Sequence, residues 1–175
     1  MNAVVQQALR TVPDSGGSSL LAPESCRILP SGNRMPLLGL GTWQLKAHTV
    51  ETVCSALQLG FRMIDTAADY HTQRGIGDAI KASGIDRDDI FVVTKVEPEE
   101  DAYESVRKNL AQLKLNYVDL ALIHRPPRHG AGEQPWQGLR RAKREGLVHD
   151  IGVSSYPITA IEDLVYRTGE MPAVN

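Results

Sequence analysis

The sequence predicts an α/β fold: an incomplete (β/α)8 TIM barrel of about five βα units plus the start of a sixth strand, preceded by a small β-hairpin. Three observations point there. Short apolar runs alternate with segments of helical periodicity, the pattern of parallel strands covered by helices. The polar residues that end four successive runs, Asp65, Lys95, His124 and Ser154, are spaced 30, 29 and 30 residues apart. That regularity suits identical units around a barrel, whose site forms at the carboxyl ends of its strands. Finally, the first strand runs into Gly39-Leu40-Gly41-Thr42-Trp43, which is not the G-x-G-x-x-G turn of an open dinucleotide-binding sheet.

Along the chain, residues 1–26 contain the breaker run Pro13-Asp14-Ser15-Gly16-Gly17-Ser18-Ser19 and are expected to form a flexible extension. Residues 27–29 and 35–37 are short apolar arms around the turn-rich centre 30–34, which predicts the hairpin. The runs 37–41, 62–66, 90–95, 118–124 and 148–154 are expected to be parallel strands buried on both faces. Between them, Val50, Val53, Cys54 and Leu57 recur at helical spacing, as do Val106, Leu110 and Leu113, and Ile161, Leu164, Val165 and Thr168. Gly60, Gly84, Gly146 and Gly169 fall where those helices should stop.

A complete barrel takes roughly 250 residues, and 149 remain after the extension, enough for about five units. Pro172-Ala173-Val174-Asn175 reads as the opening of the sixth strand. A partial barrel is expected to expose an apolar inner face and two unpaired strand edges, and so to self-associate.

The formal net charge of −2 and pI near 6.2 give no reason to expect nucleic acid or an anionic membrane surface. A small-molecule ligand is the expected partner. No apolar run approaches the 18 or so residues of a spanning helix, and the first 26 residues lack the pattern of a signal peptide. The cytoplasm is therefore the expected location. Cys26 and Cys54 match no metal-ligand spacing, and no metal is expected.

Several blocks carry a family resemblance. Gly60-Phe61-Arg62-Met63-Ile64-Asp65-Thr66-Ala67-Ala68-Asp69-Tyr70, followed by Gly75-Ile76-Gly77, resembles the aldo-keto reductase signature. Val92-Val93-Thr94-Lys95, Asp119-Leu120-Ala121-Leu122-Ile123-His124-Arg125-Pro126 and Glu145-Gly146-Leu147-Val148-His149-Asp150-Ile151-Gly152-Val153-Ser154 match further family segments in order. The resemblance covers about residues 27–175. The eleven residues between His124 and Trp136 make a short loop, more similar to bacterial diketogluconate-reductase-like members than to animal aldose reductases.

This resemblance implies reduction of an aldehyde or ketone by a catalytic tetrad of Tyr70, Asp65, Lys95 and His124. It implies NADPH as the hydride donor, with NADH as the alternative. Gly41, Thr42, Asp65, Ser154 and Ser155 would touch the cofactor, and Trp43 would line the substrate pocket. The physical tasks are separable. A phenol with a reference pKa of about 10 is a weak acid at neutral pH, and an adjacent ammonium favours its ionised form. Lys95 is the candidate ammonium, Asp65 the carboxylate that holds it, and His124 a hydrogen-bond donor to the carbonyl oxygen.

Taken singly, Asp65 reads as readily as a helix cap, Tyr70 as a packing residue and His124 as a core histidine. Their shared barrel end favours the site. Thr72 and Gln73 stand where the family commonly has Asn-Glu, Arg125 where tryptophan often follows the histidine, and Ser155 where asparagine is usual. Three functions remain open at this stage: a reductase, an inactive fragment of one, and a module that binds cofactor without turnover.

Overall fold

A computed structural model describes residues 25–175. The expected extension lies, up to residue 24, outside the described residues, and its last residue, Cys26, already belongs to a strand. Strands β1 (Cys26–Ile28) and β2 (Arg34–Pro36) pair antiparallel, with Ile28 opposite Arg34. The expected first barrel strand is shorter than its apolar run. Leu37 donates its N–H to Ser25 and so prolongs the hairpin, leaving only β3 (Leu40–Gly41) to join the sheet.

After β3 come α1 (Thr49–Gln58), β4 (Met63–Asp65), α2 (Gln73–Ser83), β5 (Phe91–Val96), α3 (Ala102–Leu113), β6 (Val118–Ile123), α4 (Glu133–Arg144), β7 (Val148–Val153) and α5 (Ile158–Thr168). The five strands β3 to β7 are parallel, and their order in the sheet is their order in the chain. Each helix packs on the next, as helices do along one side of a sheet wound in a single direction. A doubly wound sheet would reverse its strand order. The four glycines expected to stop helices all adopt positive φ, between 67° at Gly84 and 95° at Gly60, where a side chain would be strained. In α1 the expected stripe is rotated: Val50 is exposed and Thr49 is buried, its hydroxyl bonded to Lys46 O at 2.7 Å.

Two apolar clusters divide at the sheet. The larger lies between strands and helices and includes Val53, Leu57, Ile64, Ile76, Val92 and Trp136. Gly77 permits this layer to close, since a Cβ there would meet the Leu113 carbonyl oxygen at 2.0 Å. The smaller cluster is the inner face: Phe91 and Val93 of β5, Leu120 and Leu122 of β6, and Leu29 from the hairpin. All five are 6% exposed or less, which corrects the expected exposure of the apolar inner face. The reason is that two segments cover it.

Leu29 packs in from the hairpin, and Val174 from the chain end. Ala173 donates to Ile151 O at 2.9 Å and Val153 donates to Val174 O at 3.0 Å, so the segment expected to open a sixth strand lies alongside β7 but is too short to form one, and the sheet stays at five strands. Beneath the sheet, Asp150 of β7 is fully buried and accepts from Ser31 Oγ and, at 3.1 Å, from Asn33 Nδ2. This ties the hairpin turn to the last strand. No helix among the described residues is long and apolar enough to cross a membrane.

Candidate active site

Asp65 ends β4, Lys95 lies near the end of β5, and His124 and Ser154 directly follow β6 and β7. Parallel register places Asp65 beside Val93, and side chains alternate across a strand. Lys95, two residues beyond Val93, therefore points to the same face as Val93, just past Asp65. Its side chain is almost wholly buried, so its ammonium needs partners. It has one for each proton: Asp65 Oδ1 at 2.6 Å, Thr66 O at 3.1 Å and Tyr70 Oη at 3.5 Å.

Tyr70 closes a 3-10 turn, Ala68–Tyr70, which His71 ends in the left-handed conformation at φ 56°. Its ring meets that of His124 edge-on, with centroids 5.7 Å apart. Together with Trp43, Asp69, Lys95, Arg125, Ser154 and Ser155, these two rings line an open cleft of about 480 Å³, within the range of small-ligand sites. The structure thus brings the four proposed tetrad residues to one end of the sheet.

The proposed cofactor contacts divide. Ser154 and Ser155 line the cleft, with their hydroxyls 3.5 Å apart and Ser155 held at φ 60°. Gly41 is exposed beside Asp65, and an added Cβ would meet nothing within 4 Å. Thr42 is fully buried, and its hydroxyl is bonded to Asp65 O at 2.9 Å and to Thr72 Oγ1 at 3.1 Å. It braces the backbone of Asp65 behind the cleft. Thr72 also bonds Thr66 Oγ1 at 3.0 Å, so this departure from the family pattern has a structural task.

Gln73 has one too. It accepts from Thr94 Oγ1 at 2.9 Å and donates to Asn109 Oδ1 at 3.0 Å, while Asn109 donates to Lys95 O at 3.1 Å. A buried, mutually satisfied network of this kind fixes the strand that carries Lys95. Sequence reading missed Asn109, which sits in the apolar stripe of α3 and carries no motif of its own.

It also missed a charged cluster at the cleft rim. Glu97 Oε1 lies 2.8 Å from His124 Nδ1, and Arg125 Nη2 lies 3.0 Å from Glu97 Oε1 and 3.2 Å from Asp69 Oδ2. The available signal was Glu97's position two residues past Lys95, on the same face of the chain as it leaves β5. Asp69, Glu97 and His124 offer ligand atoms within 4.8 Å of one another, but the Arg125 guanidinium already serves as the cation between the two carboxylates.

Comparison with known proteins accords with this geometry. Residues 37–175 match the model of the Aldo/keto reductase family. Methylglyoxal reductase DkgA of Yersinia pestis is 39% identical over 151 residues, covering 84% of this chain and 54% of its own length. An aldo-keto reductase of Mycolicibacterium vanbaalenii is 39% identical over 154 residues, covering 85% and 55%. The chain thus spans about half the length of the curated relatives it matches.

Among solved structures, an aldo/keto reductase from Brucella melitensis superposes with a TM-score of 0.80 at 39% identity, covering 86% of this chain and 61% of that one. A Bombyx mori aldo-keto reductase solved in complex with NADP gives 0.79 at 33%, covering 86% and 57%. The sequential parallel sheet is accordingly part of a TIM barrel, and the chain belongs to the aldo/keto reductase family.

Proposed function

We propose that this chain carries the proton-transfer machinery of a carbonyl reductase that converts an aldehyde or ketone to an alcohol. The observation that carries this reading is the Lys95 ammonium, buried and shared among Asp65, Thr66 and Tyr70, with the Tyr70 hydroxyl at the cleft. When bound, a nicotinamide supplies the hydride that adds to the carbonyl carbon. Tyr70 Oη gives its proton to the carbonyl oxygen, and Lys95 stabilises the phenolate left behind. Asp65 holds Lys95 charged and placed, while His124 confines the carbonyl from the other side of Tyr70.

The residues present fit the reacting end of the cofactor. Ser154 and Ser155 offer hydroxyls to a carboxamide, and the open space over Gly41 admits a ring close to the backbone. NADPH is the proposed donor in preference to NADH, supported by the NADP complex of the Bombyx mori relative.

The test is NADPH oxidation by the purified chain with methylglyoxal, the compound named for the Yersinia pestis relative. Oxidation that Tyr70→Phe lowers by about 10²–10⁴-fold is the expected result. Absence of both turnover and any change in cofactor fluorescence would make the chain an inactive fragment. Cofactor binding without turnover, unchanged in Tyr70→Phe, would make it a binding module.

A further inference from the structure

We infer that Glu97 is a positioning residue for His124: it keeps the ring proton on Nδ1, so that Nε2 donates to a carbonyl oxygen only when the imidazole is fully protonated. This rests on the reductase reading above. The inference comes from counting hydrogens. Arg125 Nη2 carries two, but three acceptor atoms lie within reach: Glu97 Oε1 at 3.0 Å, Asp69 Oδ2 at 3.2 Å and His124 Nδ1 at 3.2 Å. Carboxylate oxygens are the stronger acceptors, so both hydrogens go to Glu97 and Asp69. No proton from Arg125 is left for Nδ1.

Nδ1 itself lies 2.8 Å from Glu97 Oε1 and 3.5 Å from Asp69 Oδ1. A nitrogen lone pair turned toward two carboxylates would be repelled, whereas an N–H donates to the nearer one. The charged groups around the ring are thus Glu97 beyond β5, Asp69 in the turn after β4 and Arg125 after β6, with Tyr70 edge-on. In the neutral ring the other nitrogen, Nε2, then carries only a lone pair. Such a nitrogen accepts from an alcohol hydroxyl and offers nothing to a carbonyl oxygen.

Long-range 15N NMR of the imidazole in the full 175-residue chain tests this without turnover. Over a pH titration, the nitrogen of His124 that keeps its proton at the alkaline end is expected to be Nδ1. In Glu97→Leu, Arg125 is freed to donate into Nδ1, and the proton is expected to move to Nε2; Glu97→Asp should retain it on Nδ1. A wild-type ring with the proton on Nε2 overturns the inference, and this holds even if the variant fails to fold. A folded Glu97→Leu with an unchanged tautomer overturns it as well. An inactive chain showing Nδ1 protonation would sink the reductase reading and leave this one standing.

Discussion

Lys95 Nζ and Asp65 Oδ1 meet at 2.6 Å in an unequal environment: the lysine side chain is 7% exposed and the aspartate 34%. The two partners therefore have unequal consequences when removed. Asp65→Asn leaves a buried ammonium without its counter-charge, at an expected cost of about 2–3 kcal/mol, reduced from the fully buried case by solvent at the carboxylate. Lys95→Met removes the cation itself and should cost about 1 kcal/mol. Urea denaturation of both variants checks the order, and a more damaging Lys95→Met would refute it.

Tyr70→Phe should be structurally silent. Among the described residues, the hydroxyl bonds only to Lys95, and at 3.5 Å this is the longest of that ammonium's three contacts, so Lys95 keeps its counter-charge at Asp65 and its bond to Thr66 O when the hydroxyl is lost. Carbonyl reduction is expected to fall by about 10²–10⁴-fold, the usual contribution of a general acid. The far-ultraviolet spectrum and urea midpoint should match the wild type.

Gly77→Ala tests the closeness of α2 and α3. The added methyl would sit 2.0 Å from the Leu113 carbonyl oxygen, a backbone atom that cannot rotate away. Separation of the two helices should cost about 3 kcal/mol, the upper end of overpacking penalties. Gly84→Ala serves as the control, since it meets nothing within 4 Å and is strained only by its φ of 67°.

Alkaline pH should weaken the fold through two tyrosines. Tyr156 is 4% exposed with no partner for its hydroxyl among the described residues, and burial, followed by the charges of Glu133 and Glu99, pushes it up to about 12. Tyr117 is likewise pushed up to about 12, first by burial and then by its hydrogen bond to Asp88. In the unfolded chain a tyrosine ionises near 10. From about pH 10 to 12 the folded state thus holds more protons, and stability falls as pH rises. Tyr156→Phe should flatten part of that fall. At pH 7 it should leave stability within about 1 kcal/mol, because the lost hydroxyl was unsatisfied. Urea titrations at pH 7, 10 and 11.5 measure both effects.

The parts of the fold legible in the sequence were those repeated by every βα unit. Near-constant spacing located Asp65, Lys95, His124 and Ser154 at one end of the sheet because each unit adds the same strand, helix and turns. Gly60, Gly84, Gly146 and Gly169 were legible as stops because few other residues adopt their backbone angles. What escaped depends on direction and on distant contacts. Thr42 lies beside cleft residues in the chain, yet turns inward to brace Asp65. Glu97, His124 and Arg125 meet across 27 or more residues, except for the adjacent pair, and no local pattern records that meeting. The covered inner face likewise needed the hairpin to be placed beneath the sheet.

The bonds from Asn33 and Ser31 to Asp150 span 117 and 119 residues, more than three quarters of the described chain, and they impose an order of assembly. The hairpin can form from neighbours as soon as it is synthesised, but it cannot dock until β7 has left the ribosome and taken its place. Contacts this distant in sequence are slow to form. The hairpin, made before the sheet, is therefore among the last of the described elements to be fixed, and until then Phe91, Val93, Leu120 and Leu122 lack the cover that Leu29 gives them. In that interval, with β5 and β6 formed and the floor beneath them open, the chain presents an apolar face that another chain can bury.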